Sequence, residues 1–205
     1  GGSSIVGYEV RNFDAVELSF VGELNITQGD EEKLTITADD NIMPLITTEV
    51  KDGVLTIGSK STIGVPAMTP LRYDLTVKDL RSLALTGAGS ADVGALKTEA
   101  LALRLSGAGS LTLDDVEATS IAAQLSGTGS IEAAGKTNQL AVSLTGAGSF
   151  NGEDLQSSAA KVTISGLGGA DVWATETLDA TITGAGGVNY YGSPTVKQTV
   201  SGLGA

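Results

Sequence analysis

The chain has no cysteine, so neither a disulfide framework nor a thiolate metal site can form. It has no histidine either. That removes Ser-His-Asp triads, His-ligated zinc and the commonest general base together. Aromatic residues make up only 4% of the chain, so any core must be built from Leu, Ile, Val and Ala. Proline occurs 4 times against 28 glycines, which excludes a collagen helix or a Pro-rich linker. No apolar run reaches the roughly 18 residues of a spanning helix, so no membrane span is expected. Positive charge is scarce, with 12 Lys and Arg against 24 Asp and Glu and a formal net charge of -12. Such a surface repels phosphate backbones and anionic lipid, so nucleic acid is not an expected partner. It is compatible with Ca²⁺, but an acidic balance alone reads as solubility, and no cofactor or metal site is predicted.

What the chain does have is a repeat. Thr86-Gly87-Ala88-Gly89-Ser90 is followed by Ser106-Gly107-Ala108-Gly109-Ser110, Ser126-Gly127-Thr128-Gly129-Ser130 and Thr145-Gly146-Ala147-Gly148-Ser149. Then come Ser165-Gly166-Leu167-Gly168-Gly169, Thr183-Gly184-Ala185-Gly186-Gly187 and Ser201-Gly202-Leu203-Gly204-Ala205. The first glycines step by 20, 20, 19, 20, 18 and 18 residues. Seven copies at a nearly fixed period define a repeat architecture.

Two residues before each first glycine stand Leu85, Leu105, Leu125, Leu144, Ile164, Ile182 and Val200. Four and six before it the residues are again mostly apolar, with Arg104, Gln124, Ser143, Thr163 and Thr181 between. This period-2 alternation predicts a strand with one buried face. It resumes after the corner with Ala91, Leu111, Ile131, Phe150, Ala170 and Val188. Each copy therefore reads as strand, glycine corner, strand and variable connection. Leucine-rich repeats have a similar period, but their asparagine ladder and helical arm are absent. The pattern predicts an all-β fold, a right-handed parallel β-helix of about seven coils over residues 81–205. Glycine at the corners is expected to supply positive φ and close backbone approach. The Ser or Thr before each corner is expected to form a hydroxyl ladder.

Residues 1–10 read as a linker, with Gly1-Gly2-Ser3-Ser4 as a processed start. Residues 11–80 lack the repeat and read as irregular β structure capping the solenoid, in one continuous domain with it. Strands are expected at 15–21, 23–27, 33–37 and 53–57, with hairpin turns at Gln28-Gly29-Asp30 and Lys51-Asp52-Gly53. Residues 42–50 fit either a strand or a short helix, and 59–69 reads as a loop. No cap is evident after the seventh corner.

The order of these segments resembles a known family. Asn12-Phe13-Asp14-Ala15-Val16 leads into Leu24-Asn25-Ile26-Thr27-Gln28-Gly29, then Leu34 to Ile42 and Asp52-Gly53-Val54-Leu55-Thr56-Ile57. The glycine repeats follow, closing with Val188-Asn189-Tyr190-Tyr191-Gly192-Ser193-Pro194. Over residues 11 to 205 this is similar to the putative auto-transporter adhesin, head GIN domain family. The resemblance implies a β-helical fold in bacterial envelope proteins, secreted or lipid-anchored, and hence an extracytoplasmic location. It supplies no catalytic residues.

Five residues past each first glycine runs a polar stripe of Asp92, Thr112, Glu132, Asn151, Asp171 and Asn189. It reads as a glycan- or Ca²⁺-contacting row, or as a solvated face spaced to avoid repulsion. Seven past it lie Asp114, Glu153, Trp173 and Tyr191. Trp173 and Tyr191 fall on adjacent coils and should stack about 5 Å apart as a platform for a sugar ring or partner. The plain alternative is that a loop covers them. The candidate binding residues are thus Trp173, Tyr191, Asp92, Glu132 and Asp171.

Other readings fit less well. Gly166-Leu167-Gly168-Gly169 approximates a nucleotide loop, but a strand rather than a helix follows it. Ca²⁺-binding β-rolls need a nine-residue period, and only Gly168-Gly169-Ala170-Asp171 resembles a fragment of one. The pairs Asp39-Asp40, Asp114-Asp115 and Glu153-Asp154 could serve a polysaccharide lyase or hydrolase on a β-helix. Lyases of this shape bring a basic residue near the acids, and only Arg104 is read on a strand face. The favoured function is a non-catalytic module of the cell envelope that binds glycan or protein. The alternatives are a polysaccharide-degrading enzyme and a scaffold that self-associates as a homo-oligomer.

Overall fold

Alternation makes each repeat a strand with one apolar face, and the fixed period lets like strands stack. The computed structural model describes residues 2–60 and 70–204 and is a parallel β-solenoid, with no α-helix among those residues. Seven glycine corners enclose about six turns, where the repeat count predicts about seven coils.

Each turn has three sides. The first face stacks β8 (Ser82–Leu85) with residues 101–105 of β10 (Leu96–Leu105) and 121–125 of β11 (Ser110–Leu125). It continues through 140–144 of β12 (Ser130–Leu144), 160–164 of β13 (Ser149–Ile164), 178–182 of β14 (Gly169–Ile182) and β16 (Thr195–Val200). The second face follows the corner and runs from β9 (Ser90–Val93) through the starts of β11 to β14 to β15 (Gly187–Tyr191). The third, shorter face joins 96–98, 116–118, 135–137, 155–157 and 173–174. All these pairings are parallel. The apolar columns fill the interior: Leu85, Leu105, Leu125, Leu144, Ile164 and Ile182 are all buried. Each such side chain contributes about 1.5–3 kcal/mol by leaving water.

The corner glycines answer to contact, not to φ. None of them lies in the left-handed region. A Cβ on Gly107 would sit 1.8 Å from the carbonyl oxygen of Gly87 in the rung below. The expected hydroxyl ladder is instead a backbone ladder. Ser106 N–H donates to Leu85 O at 3.0 Å, and Ser126 N–H to Leu105 O at 3.0 Å. Thr183 Oγ1 donates to the Ile164 carbonyl, not to a neighbouring hydroxyl.

The changes in repeat length fall at the corners beside the third face. Val116 pairs with Gly135 after Leu113 pairs with Ala133, so the coil of 19 residues loses one there. Gly135, at φ 134°, closes this gap, since a Cβ there would lie 2.0 Å from Val116 O. In the first coil of 18, Gly152 pairs with Val172 and Gln156 with Trp173, so 153–155 have no counterpart.

The N-terminal segment joins the same ladder in a different order. β2 (Ala15–Leu18) and β3 (Glu23–Gln28) stack parallel on β8 and β9. β6 (Val54–Ser59) and β7 (Leu71–Val77) stack in turn on β2 and β3. The outer edges are then met antiparallel by β4 (Lys33–Asp39) on β7, β1 (Ser3–Tyr8) on β4, and β5 (Ile46–Lys51) on β6. Gln28-Gly29-Asp30 is therefore not a hairpin turn, because β7 lies between β3 and β4. Lys51-Asp52-Gly53 is one, with Asp52 at φ 52° and Gly53 at φ 80°. Residues 42–50 take both suggested forms, a 3-10 turn at Met43–Leu45 and then the β5 strand, Ile46–Lys51. Of the loop read at 59–69, Ser59 ends β6, and 61–69 lie outside the described residues. In the last coil the alternation continues but burial does not: Val196, Val200 and Tyr190 are exposed, with no further described rung upon them.

Candidate binding surface

Outward residues of successive rungs form straight rows, because parallel pairing places like above like at about 4.8 Å. The polar stripe is such a row, and it is longer than the repeat. In register it reads Thr35, Asp74, Asn25, Asp92, Thr112, Glu132, Asn151, Asp171, Asn189. Acid and neutral residue alternate over all nine rungs. Counting from the glycines starts the stripe at Asp92; Thr35, Asp74 and Asn25 extend it. The signal for Asn25 and Asp74 is the Leu24-Asn25-Ile26 and Tyr73-Asp74-Leu75 alternation, which matches Ala91-Asp92-Val93 but lies outside the glycine repeat. Neutral amides bridge to the acids at two places. Asn25 Nδ2 donates to Asp74 Oδ1 at 3.5 Å, and Asn189 Nδ2 to Asp171 Oδ1 at 3.0 Å.

The second row runs along the third face: Lys97, Glu117, Lys136, Gln156, Trp173, Tyr191. Trp173 and Tyr191 are direct partners, as their spacing predicts. Trp173 is part-buried, and a Cβ on Gly192 would lie 3.2 Å from its indole Cδ1. Tyr191 is 48% exposed, and its hydroxyl donates to Glu153 Oε2 at 3.4 Å. Counting from the glycine put Glu153 in line with Trp173. The structure puts Gln156 there, because residues 153–155 are displaced at the corner. Beneath Trp173, the buried Ser157 hydroxyl donates to the Trp173 carbonyl at 2.7 Å and holds the strand in place.

Of the five candidate residues, Asp171, Trp173 and Tyr191 share one patch, with Asn189, Asn151 and Gln156 on its borders. Asp92 lies four rungs from Asp171, roughly 19 Å along the stack, and Glu132 two rungs. Those two acids gather instead about Asp114. Its carboxyl is held above the usual carboxylate range, first by partial desolvation, then by a hydrogen bond to Asp92 and the charges of Asp92 and Glu132. A shallow depression of about 170 Å³ lined by Asp114, Glu132, Asn151 and Glu153 connects the two groups. No set of three or more acids is arranged to hold a metal ion among the described residues.

The first face carries a different surface. Two adjoining grooves of about 550 and 610 Å³ share a floor of Ala102, Ala122 and Ala141. Arg104 borders one and Lys161 the other. Arg104 is therefore not the only basic residue on a strand face: Lys161, Lys197, Lys97 and Lys136 also point outward. The acidic pairs Asp114-Asp115 and Glu153-Asp154 lie exposed.

These features define a parallel β-solenoid with outward-facing polar and aromatic rows. The chain belongs to the family described as "Putative auto-transporter adhesin, head GIN domain", whose model matches residues 12–194. Among solved structures it is similar to a putative adhesin from Bacteroides fragilis, at 26% identity and a TM-score of 0.92, over 99% of this chain and 95% of that one. It is also similar to a putative lipid binding protein from Parabacteroides distasonis, at 22% identity and a TM-score of 0.81, over 100% and 96% of the two chains. A putative adhesin from Parabacteroides merdae has 22% identity and a TM-score of 0.76, over 100% and 95%. These last two share the fold. A search of curated proteins returns no match. No helix among the described residues is long and apolar enough to cross a membrane.

Proposed function

We propose that the chain is a non-catalytic binding module of a bacterial cell envelope, working outside the cytoplasm and contacting glycan or protein through the β-helix surface. The observation that carries the reading is the pairing of the part-buried Trp173 with the exposed Tyr191, in register on adjacent rungs and edged by the Asn189–Asp171 amide–carboxylate pair. Flat aromatic faces flanked by amides and carboxylates suit the two sides of a sugar, its apolar ring face and its hydroxyls. Asp92 and Glu132 extend the same outer surface, so a longer ligand would run across the rungs. The family's description and the likeness to the Bacteroides fragilis adhesin support the reading. A chain without histidine, whose acidic pairs Asp114-Asp115 and Glu153-Asp154 stand exposed, favours binding over hydrolysis. The test is a broad glycan array, with and without Ca²⁺, for the protein and a Trp173→Ala variant. Binding that the variant loses is the expected result. Binding that the variant keeps would move the site elsewhere, and silence across the array would leave a protein as the ligand.

A further inference from the structure

The Trp173 patch is an aromatic surface in a field of unneutralised acids. Asp171 stands two residues before Trp173 on the same side of β14, and Glu153 meets the Tyr191 hydroxyl. Neither acid has an ion-pair partner among the described residues, where the ion pairs join Arg11–Glu9, Arg72–Asp74 and Arg81–Asp14. In the row of Trp173 the nearest cation is Lys136, two rungs and roughly 10 Å away. The Tyr191 hydroxyl registers the local field. Its pKa is raised, first by the charge of Glu153, then by desolvation, by Asp171 and by the hydrogen bond to Glu153. The chain as a whole carries -12.

We propose that this site takes a glycan bearing free, protonated amino groups. The inference rests on the binding reading above and names the ligand class of the same site. An ammonium over an aromatic face gains from the ring quadrupole, and more when carboxylates accept its N–H bonds. Glu153, at the Tyr191 hydroxyl, and Asp171, two residues before Trp173, supply those acceptors. The carboxamides of Asn151, Gln156 and Asn189 border the patch and match sugar hydroxyls. An anionic sugar meets repulsion from every near charge except Lys136. A sugar chain is favoured over a basic peptide because two flat rings stand one rung apart, at about 4.8 Å, in a row fixed by strand pairing. That row offers consecutive stacking positions to a stiff chain of rings.

Trp173 is the chain's one tryptophan, so intrinsic fluorescence reports on this site alone. The experiment titrates the protein with a β-1,4 glucosamine oligomer, its fully N-acetylated counterpart and oligolysine of equal charge, at mildly acidic pH and two salt concentrations. The expected result is quenching by the free-amine oligomer, with affinity about tenfold above the acetylated form and falling with salt. Glu153→Gln and Asp171→Asn should each weaken amine binding several-fold and the acetylated form by less, so that the ratio between the two oligomers falls. Circular dichroism checks that both variants remain folded. Equal binding of the two oligomers, lost in Trp173→Ala, would overturn the amine preference and leave the glycan reading standing. Oligolysine that binds as tightly as the glucosamine oligomer would overturn the sugar class. If neither oligomer binds, the amino-sugar proposal fails; a silent array as well would leave a protein as the ligand of the module.

Discussion

Gly107→Ala puts a methyl group where the rung below already has a carbonyl oxygen. The new Cβ would stand 1.8 Å from Gly87 O and 2.7 Å from Gly87 C, both backbone atoms. Ordinary contact begins near 3.4 Å, so the two rungs must part by roughly 1.6 Å, a third of their spacing. That movement breaks the Ser106 N–H bond to Leu85 O beside the corner. Overpacking costs about 1–3 kcal/mol and each lost hydrogen bond about 1 kcal/mol, so the loss should be about 2–4 kcal/mol. For a chain of this size that lowers the melting temperature by about 4–16 °C. The control is Gly94→Ala, whose Cβ would lie 3.7 Å from Ile26 O, in ordinary contact. Alanine also restricts the unfolded chain, so this variant should match or slightly exceed the parent. Urea titration followed by far-ultraviolet circular dichroism and a thermal scan measure both. If Gly107→Ala unfolds within about 0.5 kcal/mol of Gly94→Ala, the close approach of stacked corners is not why glycine stands there.

Phe150 fills its own inward position and the one next to it, since a Cβ on Gly152 would lie 2.5 Å from the Phe150 ring. Phe150→Ala should therefore cost about 3–5 kcal/mol by equilibrium unfolding, and a loss under 1 kcal/mol would show that the core collapses around the cavity. Asp114 has a raised pKa in the folded chain, so ionising it opposes folding. Its contribution is full below the unfolded carboxylate pKa of about 3.9 and declines as pH rises through the folded value. Asp114→Asn should thus melt higher than the parent at neutral pH, with the gap closing towards pH 4, and a constant gap would exclude titration as the cause. Thr112→Asp would place an acid between Asp92 and Glu132, at about 4.8 Å from each. Unscreened repulsion is about 0.9 kcal/mol per neighbour in water, and roughly half that at physiological salt. The variant should lose about 1 kcal/mol relative to Thr112→Asn and recover it in molar salt. Equal stability of the two at low salt would mean that the alternation along the stripe has no electrostatic role.

The repeat coils were legible because two periods coincide in the sequence. Alternation marked the inward residues, and the glycine interval aligned them, so Leu85 to Ile182 fall in one buried column. The N-terminal rungs were not legible in the same way. β2 and β3 lie between the β6–β7 rung and the β8–β9 rung, out of chain order, and no local signal states which strand inserts between which. The corner at 19–22, where Gly22 takes φ 118°, also lacks the Gly-x-Gly mark. The third face carries no mark of its own in the sequence, because its strands are short continuations of longer ones. Without it, the outward lysines Lys97 and Lys136 had no face to lie on. In the patch itself the Trp173–Tyr191 pairing followed from counting, while Gln156 and the Tyr191–Glu153 bond did not, since counting fails wherever a coil changes length.

That failure locates the patch. In the coils with the longer corner, inward residues occupy the bend: Leu155 is fully buried beside Gln156. The next coil omits three residues there, so Val172 passes directly to Trp173 within one unbroken strand. The omission leaves Trp173 two residues from Asp171, with Val172 buried between them. In the coil before, the extra residues leave Glu153 on the outside of the bend, where the Tyr191 hydroxyl reaches it across two rungs. A twenty-residue coil at this position would part Trp173 from Asp171 and give the hydroxyl no acceptor at that place. The change of step from 20 to 18 is thus the trace, in the sequence, of the corner that assembles the aromatic and acidic groups.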